Sequence, residues 1–145
     1  MAVGAGQKMF VRAHAALYRA TGGRLGGRMA GIRQILLTTT GRRSGQPRTI
    51  PLAGTPDGDA VVLVASNGGA AHDPAWFLNL VADPHVTVQR GHEVLPMVAR
   101  VAEGEERVRL WGLVTAANPG YERYRGRTSR TIPVVVCAPD PTRST

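Results

Sequence analysis

From residue 34 onward, apolar positions fall in short runs that are separated by turn residues. The run Ile35–Leu37, followed by three threonines, is apolar and β-branched, which predicts a strand. Pro47–Leu52 predicts a second strand, and the turn residues of Gly41–Gln46 between them make the pair a hairpin. Similar runs predict four further strands, at residues 60–66, 86–89, 94–102 and 132–137.

Two insertions between these strands have helical features. Asp73 and Pro74 predict the start of a short helix, because aspartate caps helices and proline suits the first helical position. A longer helix is predicted over residues 103–117, where acidic residues in the first turn suit the positive end of the helix. The Tyr- and Arg-rich segment 121–130 that follows carries no helix or strand prediction.

The N-terminal region has a helical pattern of its own. Phe10, Ala13 and Leu17 fall on one face of a helix predicted over about residues 7–20, and basic residues share another face. We favour a helix that packs on the domain, because its apolar face is short and rich in alanine. The alternative is a basic amphipathic helix that rests on a membrane surface.

Strands that follow one another through short turns indicate an antiparallel sheet, and this many strands in a short chain favour a small closed barrel. The predicted fold class is α+β and mainly β, with an N-terminal helix and two inserted helices. The 145 residues allow one domain. It comprises the N-terminal helix with a Gly-rich linker (1–33), the barrel (34–138) and a Pro- and Thr-rich tail (139–145) that we expect to be frayed.

Composition narrows the function without deciding it. The formal net charge is +8, which suits nucleic acid, an anionic membrane or an anionic small molecule as partner. No apolar run is long enough for a transmembrane span, and the N-terminus lacks the features of a signal peptide. Cys137 is the single cysteine, so we expect no internal disulfide and a cytoplasmic location.

One turn concentrates the candidate chemistry. The sequence has no nucleophile elbow and no Cys-x-x-Cys, and its four histidines lack metal-ligand spacing, so we predict no metal site. Arg42, Arg43 and Arg48 surround a Gly-containing turn between two strands, and guanidinium groups with exposed N–H groups suit phosphate or carboxylate. The alternative is an ordinary solvated hairpin loop. The hypothesis of an anion-binding turn gains support if the strand exit at Ser66–Gly69 and the helix start at Asp73 lie at the same barrel edge.

The same turn begins a resemblance to a known family. Residues 36–48, Leu-Leu-Thr-Thr-Thr-Gly-Arg-Arg-Ser-Gly-Gln-Pro-Arg, resemble the signature of the deazaflavin-dependent nitroreductases and quinone reductases, actinobacterial proteins that use coenzyme F-420. The resemblance extends from about residue 34 to residue 138 with essentially no gaps. It continues through four further blocks, at residues 64–69, 74–80, 82–86 and 130–137.

The resemblance implies a split β-barrel that holds the deazaflavin in a groove. The residues implied to bind the phosphate and glutamate tail of the cofactor are Arg42, Arg43, Ser44 and Arg48. Those implied to line the ring are Val64, Ala65, Ser66 and Asn67 on one side, and Ala75, Trp76, Phe77, Leu78 and Asn79 on the other. Ser66, Tyr121 and Tyr124 are implied to contact the reacting ring or the acceptor.

Three positions depart from the nitroimidazole-reducing member of this family. That member has tyrosines where this chain has Ala53 and Asn118, and a lysine where this chain has Asn67. The loss of two aromatic walls implies a larger or reshaped acceptor pocket, because a buried aromatic ring contributes a large contact area. Reduction of nitroimidazoles is therefore not implied, whereas hydride transfer is.

The leading hypothesis is an enzyme that transfers hydride from reduced coenzyme F-420 to a quinone or another activated double bond. One alternative keeps the barrel and uses FMN, although FMN has a single phosphate and needs fewer cations. The other is non-catalytic: a carrier of an anionic cofactor or, ranked last, a nucleic-acid binder, because only 5% of the residues are aromatic. A homodimer and a peripheral membrane contact through the N-terminal helix stay open.

Overall fold

The computed structural model describes Ala15, Arg19, residues 28–29 and residues 32–143. Its eight described strands are β1 (Arg28–Met29), β2 (Ile32–Thr40), β3 (Pro47–Ala53), β4 (Thr55–Asp57), β5 (Ala60–Val64), β6 (His85–Arg90), β7 (Glu93–Val101) and β8 (Val134–Pro139). Three helices in this part of the chain are α1 (Ala75–Ala82), α2 (Gly104–Ala117) and α3 (Gly120–Gly126), and Asn67–Gly69 forms a 3-10 turn.

All strand pairings are antiparallel, and they follow the order β3-β2-β6-β7-β8-β5-β4, with β1 also paired to β2. The two ends of this series, β3 and β4, are joined through Gly54 alone. The sheet therefore curls, because its first strand, β3, continues directly into its last strand, β4, through a bend at Gly54. This arrangement confirms the predicted small antiparallel split barrel of the α+β class.

Both faces of the sheet are covered where the strands are most apolar. β5 is buried at every position, and its side chains alternate between two clusters: Val61 and Leu63 lie inside the barrel, and Val62 and Val64 lie outside it. Helices α2 and α3 cover the outer cluster. Its core side chains include Leu110, Val114, Tyr121, Ile132, Val134 and Val136.

The interior cluster fills the barrel with branched side chains and closes one end with α1. Phe77 and Leu80 of α1 pack into this cluster, which also contains the buried Cys137. Burial raises the pKa of the Cys137 thiol to about 12, so it is a protonated core side chain at neutral pH. The predicted structural role of this residue agrees with its position.

The N-terminal helix predicted over residues 7–20 lies outside the described residues except at two positions. Ala15 and Arg19 are helical. Ala15 is buried against Leu36, whose side chain points away from the barrel interior. This contact agrees with a helix that packs on the domain.

The helix predictions were incomplete in one respect and wrong in another. A third helix, α3, occupies part of the Tyr- and Arg-rich segment for which we predicted none, because Pro119 ends α2 and also begins a new helical turn. The predicted cap at Asp73 is wrong: Pro74 precedes α1 as its cap residue and no side chain caps the helix. The Asp73 carboxylate bonds to a distant arginine instead.

The C-terminal segment differs from the frayed tail that we predicted, as far as Arg143. Pro139 is the last residue of β8, and the buried Asp140 accepts hydrogen bonds from Thr142 and from the Arg143 guanidinium. Arg143 also donates to the carbonyls of Val86 and Met97, at 2.9 and 2.6 Å. Pro139 lies opposite Met97 and has no N–H to offer, so the arginine supplies a donor there.

The corner at Gly54 has no room for a side chain. A Cβ at this position would lie 2.9 Å from Ile35 Cγ1 and 3.0 Å from Val61 Cγ1, both in the interior core. We predict that Gly54→Ala lowers the free energy of unfolding by about 1–3 kcal/mol, as overpacking does. Gly112→Ala is the control, because open space surrounds this exposed helical glycine. It should raise the free energy of unfolding by about 0.5–1 kcal/mol in the same denaturant titration.

The C-terminal turn makes stability depend on pH. Hydrogen bonds from Thr142 and from Arg143 lower the pKa of Asp140 from 3.8 to about 2. Because the folded pKa is depressed, this carboxylate stabilises the fold above about pH 4, and its contribution is lost as pH falls through about 2. Asp140→Asn should therefore lower the melting temperature near neutral pH, and the difference from the parent should vanish near pH 2. A constant difference across this range would contradict the assignment. Asp59→Asn is an exposed control.

Candidate active site

The turn between β2 and β3 is held by its own backbone and by one serine. Gly41 N–H donates to the carbonyl of Gln46, and Gly45 N–H donates to that of Gly41, both at 2.8 Å. Gly45 has a φ of +70°, which favours glycine. The Ser44 hydroxyl lies over Gly41 and accepts from the Gln46 N–H and from Arg48 Nη2, at 3.1 and 3.3 Å. Arg48 is thereby directed across the turn.

The charges of this turn are not neutralised by any described carboxylate. Arg42 bonds to Asn79 and Arg48 to Ser44, and Arg43 makes no hydrogen bond or ion pair within the described part of the chain. The arginines that do form ion pairs among the described residues lie elsewhere: Arg90, Arg100, Arg109, Arg125, Arg130 and Arg143. Three cations of one turn, with no counter-charge among the described residues, would suit an anion with several charges.

Helix α1 fixes the position of the turn through Asn79. This buried amide accepts from the Arg42 backbone N–H at 3.2 Å and from Arg42 Nη1 at 3.1 Å, and donates to the Thr39 hydroxyl at 3.2 Å. The predicted site residue Asn79 therefore uses its side chain to connect α1 to the turn. Its contribution to a site in this region is to orient Arg42.

The exit from β5 brings a buried hydroxyl next to an unusual backbone turn. Val64, Ala65 and Ser66 are buried, and no hydrogen bond joins the Ser66 hydroxyl to another described residue. Asn67 follows with a φ of 49°, in the left-handed region that asparagine tolerates better than most residues. Its side-chain amide donates to the His72 carbonyl at 3.1 Å. A buried hydroxyl without a partner is a candidate hydrogen-bond donor to a ligand.

Arg130 holds this loop with every nitrogen of its guanidinium. Nε donates to the Ala70 carbonyl at 2.9 Å, and Nη1 donates to Asp73 Oδ1 at 2.8 Å. Nη2 donates to the carbonyls of Ala65 and Ser66, at 3.1 and 2.8 Å. The sequence prediction assigned Arg130 no role, although it begins the last block of the family resemblance. Its partners are backbone carbonyls about 60 positions away, which no local pattern indicates.

The α1 residues predicted to line the ring differ in what they face. Phe77 is buried in the barrel interior, and Trp76 meets it edge to face, with ring centroids 6.4 Å apart. Ala75 and Leu78 are exposed on the opposite side of the helix. Phe77 is thus a core residue that packs inside the barrel, whereas Ala75 and Leu78 are exposed and could contact a ligand.

The two candidate tyrosines lie on α3, which packs against the Asn67–Gly69 turn. A Cβ on Gly69 would lie 3.1 Å from the Tyr124 carbonyl and 2.9 Å from Arg127 Cβ, so the two segments approach closely. Tyr121 is buried in the outer core, and burial raises its pKa, although a hydrogen bond with Asn118 opposes the shift. Tyr124 is half-buried and meets the Tyr121 ring at 6.3 Å between centroids.

The residues that depart from the nitroimidazole-reducing pattern lie in separate places. Ala53 is half-buried at the end of β3, opposite Gln34 and far along the hairpin from the arginine turn. Asn118 follows α2, and its side-chain oxygen accepts from the Gly120 N–H at 3.1 Å. Asn67 directly follows Ser66, and Asn118 precedes α3, the helix that packs against the Asn67–Gly69 turn.

The described ranges contain neither a metal-binding cluster nor a membrane-spanning helix. Residues 28–29 and 32–143, with Ala15 and Arg19, contain no group of three or more histidine, cysteine or carboxylate side chains that could hold a metal ion. Within the same ranges, no helix is both long and apolar enough to cross a membrane.

A split barrel with an arginine turn that no described carboxylate neutralises, and with a buried Ser66 hydroxyl that has no described partner, fits a barrel oxidoreductase domain for an anionic organic cofactor. The model of the F420H(2)-dependent quinone reductase family matches residues 10–139, and the chain belongs to this family. F420H(2) is the reduced form of coenzyme F-420. An F420H(2)-dependent quinone reductase of Mycobacterium tuberculosis is 42% identical over 130 residues, which cover 87% of each chain.

Two solved structures agree with this membership. The structure of an F420-H2-dependent reductase, FDR-A, is 43% identical with a TM-score of 0.68, and the match covers 72% of this chain and 92% of that one. A domain-swapped dimer is 36% identical with a TM-score of 0.69, over 87% of this chain and 94% of that one. The protein is therefore an oxidoreductase whose hydride donor is reduced coenzyme F-420, as the resemblance implied.

The link between α1 and the arginine turn can be tested through stability. Asn79→Ala leaves the Thr39 hydroxyl and the Arg42 N–H without their partner. It should lower the free energy of unfolding by about 1–3 kcal/mol, the usual range for a buried polar group that loses its bond. Gln46→Ala is the control, because this exposed turn side chain makes no described contact, and its effect should stay within about 0.5 kcal/mol. Equal effects in a denaturant titration would contradict the link.

Proposed function

We propose that this protein reduces a quinone with hydride from reduced coenzyme F-420, held between the arginine turn, the β5 exit and α1. The observation that carries the proposal is the group Arg42, Arg43 and Arg48, which no described carboxylate neutralises. The acceptor follows from the names of the family and of the mycobacterial relative, both of which are quinone reductases.

The residues of the turn fit the anionic tail of the cofactor. Coenzyme F-420 carries a phosphate and glutamate carboxylates, so several guanidinium groups without carboxylate partners suit it better than they suit the single phosphate of FMN. Arg42 and Arg48 are already oriented, by Asn79 and Ser44, and Arg43 is free among the described residues. Oriented donors lose less conformational entropy on binding, which favours affinity.

The residues between the β5 exit and α1 would contact the deazaflavin ring. Val64, Ala65 and Ser66 offer small buried side chains on one side. On the other side, Ala75 and Leu78 offer exposed apolar surface, with Trp76 and Phe77 packed behind them. A flat conjugated ring needs apolar contact and few polar groups, and this set provides it.

The chemistry of the cofactor leaves the protein with binding, orientation and electrostatics. When bound, reduced coenzyme F-420 supplies the hydride, so no nucleophile or metal is needed. An oxygen of the quinone gains negative charge as the hydride arrives, and the Ser66 hydroxyl donates a hydrogen bond to it. A proton from solvent then completes the hydroquinone. Tyr121 and Tyr124 would shape the acceptor end of the site, and burial raises the pKa of Tyr121 above its ordinary value.

The shape of the acceptor site favours quinones or enones over nitroimidazoles. Asn118 and Asn67, beside the strand exit, are smaller or less charged than the residues of the nitroimidazole-reducing pattern, and Ala53 lacks an aromatic ring. A roomier pocket accepts a substituted quinone ring, and it holds a small nitroimidazole less firmly.

We also propose that the protein forms a homodimer, because one of the similar solved structures is a domain-swapped dimer. Analytical ultracentrifugation at micromolar concentration tests this directly, and a monomer at all concentrations would contradict it. A peripheral membrane contact through the N-terminal helix stays a prediction. Flotation of the full chain with anionic vesicles would test it, and failure to float would contradict it.

Cofactor binding tests the proposed function most simply. Titration with coenzyme F-420, followed by fluorescence, should show tight binding, and FMN should bind weakly. Arg42→Ala with Arg43→Ala should weaken binding of F-420 by about 2–4 kcal/mol, because charge-assisted hydrogen bonds contribute about 1.5–3 kcal/mol each and solvent screens part of this.

The matched control is Arg100→Ala with Arg109→Ala. This double variant removes the same two charges, but from arginines that are paired to Glu106 and Asp57 on another part of the surface. It should leave binding unchanged. Equal weakening in both double variants would mean that the turn contributes only through the net charge of the protein. A preference for FMN would refute the cofactor assignment for this site.

A further inference from the structure

We infer that Arg130 is a positioning residue for hydride transfer: it fixes the loop from Ala65 to Asp73 so that the Ser66 hydroxyl, which has no hydrogen-bond partner among the described residues, is kept available to the acceptor. This inference rests on the proposed function, because it gives the Ser66 hydroxyl its role there. It adds a residue that contacts neither cofactor nor acceptor and acts through Ser66.

The four hydrogen bonds from Arg130 to the loop, called the clamp below, require an arginine. Three nitrogens of one planar group reach four oxygens, at 2.8–3.1 Å, on four residues of a single loop. The side chain is only 15% exposed, so these bonds form largely away from water. Lysine has one nitrogen and cannot reach the same set of acceptors.

The bonds to Ala65 and Ser66 determine the backbone conformation at the end of β5. Successive carbonyls of a strand point in opposite directions, yet these two converge on one nitrogen, Nη2. The chain must therefore leave the strand conformation at Ser66, where φ is −71° and ψ is −31°. The left-handed Asn67 that follows is in a conformation that few non-glycine residues adopt, and the surrounding structure must hold it there.

This backbone turn determines whether the Ser66 hydroxyl can bond to its own loop. Buried hydroxyls almost always find a partner, and a relaxed loop would let this one bond to nearby carbonyls. The clamp occupies the Ala65 and Ser66 carbonyls itself and holds the loop in one conformation. The hydroxyl stays available for the charge that develops on the acceptor, which is the preorganisation that such stabilisation requires.

Cofactor affinity should be separable from this role. The arginine turn is held by Ser44 and Asn79, and neither of these residues contacts Arg130. Loss of the clamp should therefore change the turnover number far more than the dissociation constant for coenzyme F-420.

The test compares Arg130→Gln with Arg107→Gln in the full-length enzyme. Arg107 also donates from a partly buried guanidinium to a backbone carbonyl, that of Ile132 at 2.7 Å, but away from the loop. We expect kcat for quinone reduction to fall by about tenfold to a hundredfold in Arg130→Gln. This is less than the roughly hundredfold to thousandfold loss for a removed transition-state donor, because the Ser66 hydroxyl is displaced but still present. The dissociation constant for F-420 should change by less than about threefold in the same variant. Arg107→Gln should affect thermal stability only.

A double-mutant cycle with Ser66→Ala identifies the pathway of the effect. If Arg130 acts through Ser66, Arg130→Gln should cause little further loss of kcat once Ser66→Ala is present. Independent, additive losses of kcat would overturn the inference. Should Arg130→Gln fail to fold, Arg130→Lys makes the same comparison with a milder change.

Amide exchange separates this inference from the proposed function. Gly69 and Ala70 N–H groups bond to the carbonyls of Ser66 and Asn67, at 2.9 and 3.1 Å, and should exchange faster in Arg130→Gln while β8 is unchanged. Unchanged exchange in an active enzyme would overturn the positioning role alone. A wild-type protein that binds F-420 but does not reduce quinones would instead refute the proposed function, and with it the catalytic part of the inference.

Discussion

The site depends on the guanidinium of Arg130 more than on any other single group. Four hydrogen bonds from this side chain hold the loop that joins β5 to α1, and that loop contains the candidate donor Ser66. The same loop sets where α1 begins, because Asp73 is one of the bonded residues. Helix α1 in turn holds Arg42 through Asn79. Arg130 thus holds the part of the site that would face the acceptor, and Asn79 separately holds the part that would bind the cofactor's tail.

The arginines fall into two groups, those that support the fold and those of the turn between β2 and β3. Most ion pairs in the described part of the chain tie arginines to carboxylates on α2, α3 or the strand ends, where they support the fold and add little free charge. The turn between β2 and β3 keeps three guanidinium groups that no described carboxylate neutralises, so it adds positive potential where an anion can bind. An anionic ligand agrees with membership of a coenzyme F-420-dependent family.

Local signals in the sequence predicted the fold well. The hairpin around Gly41–Gln46 and the apolar run of β5 depend on neighbouring residues, and both were predicted correctly. Contacts between distant positions were missed. Asp73 precedes a proline at a helix start, which favours a cap, but its partner Arg130 is 57 positions away and a charge-assisted bond is stronger. Arg143 likewise bonds to strands β6 and β7, which no pattern in the tail indicates. The roles of Ser66 and of the tyrosines came from the family resemblance and stay predictions.

The most direct measurement of the central claim is a crystal structure of the protein with coenzyme F-420 bound. The account predicts that phosphate and glutamate oxygens lie within hydrogen-bond distance of Arg42, Arg43 or Arg48. It also predicts that the deazaflavin ring lies between the β5 exit and α1, with the Ser66 hydroxyl still unpaired with protein. A cofactor bound elsewhere, with the arginine turn in solvent, would contradict the account, and so would a Ser66 hydroxyl bonded to its own loop.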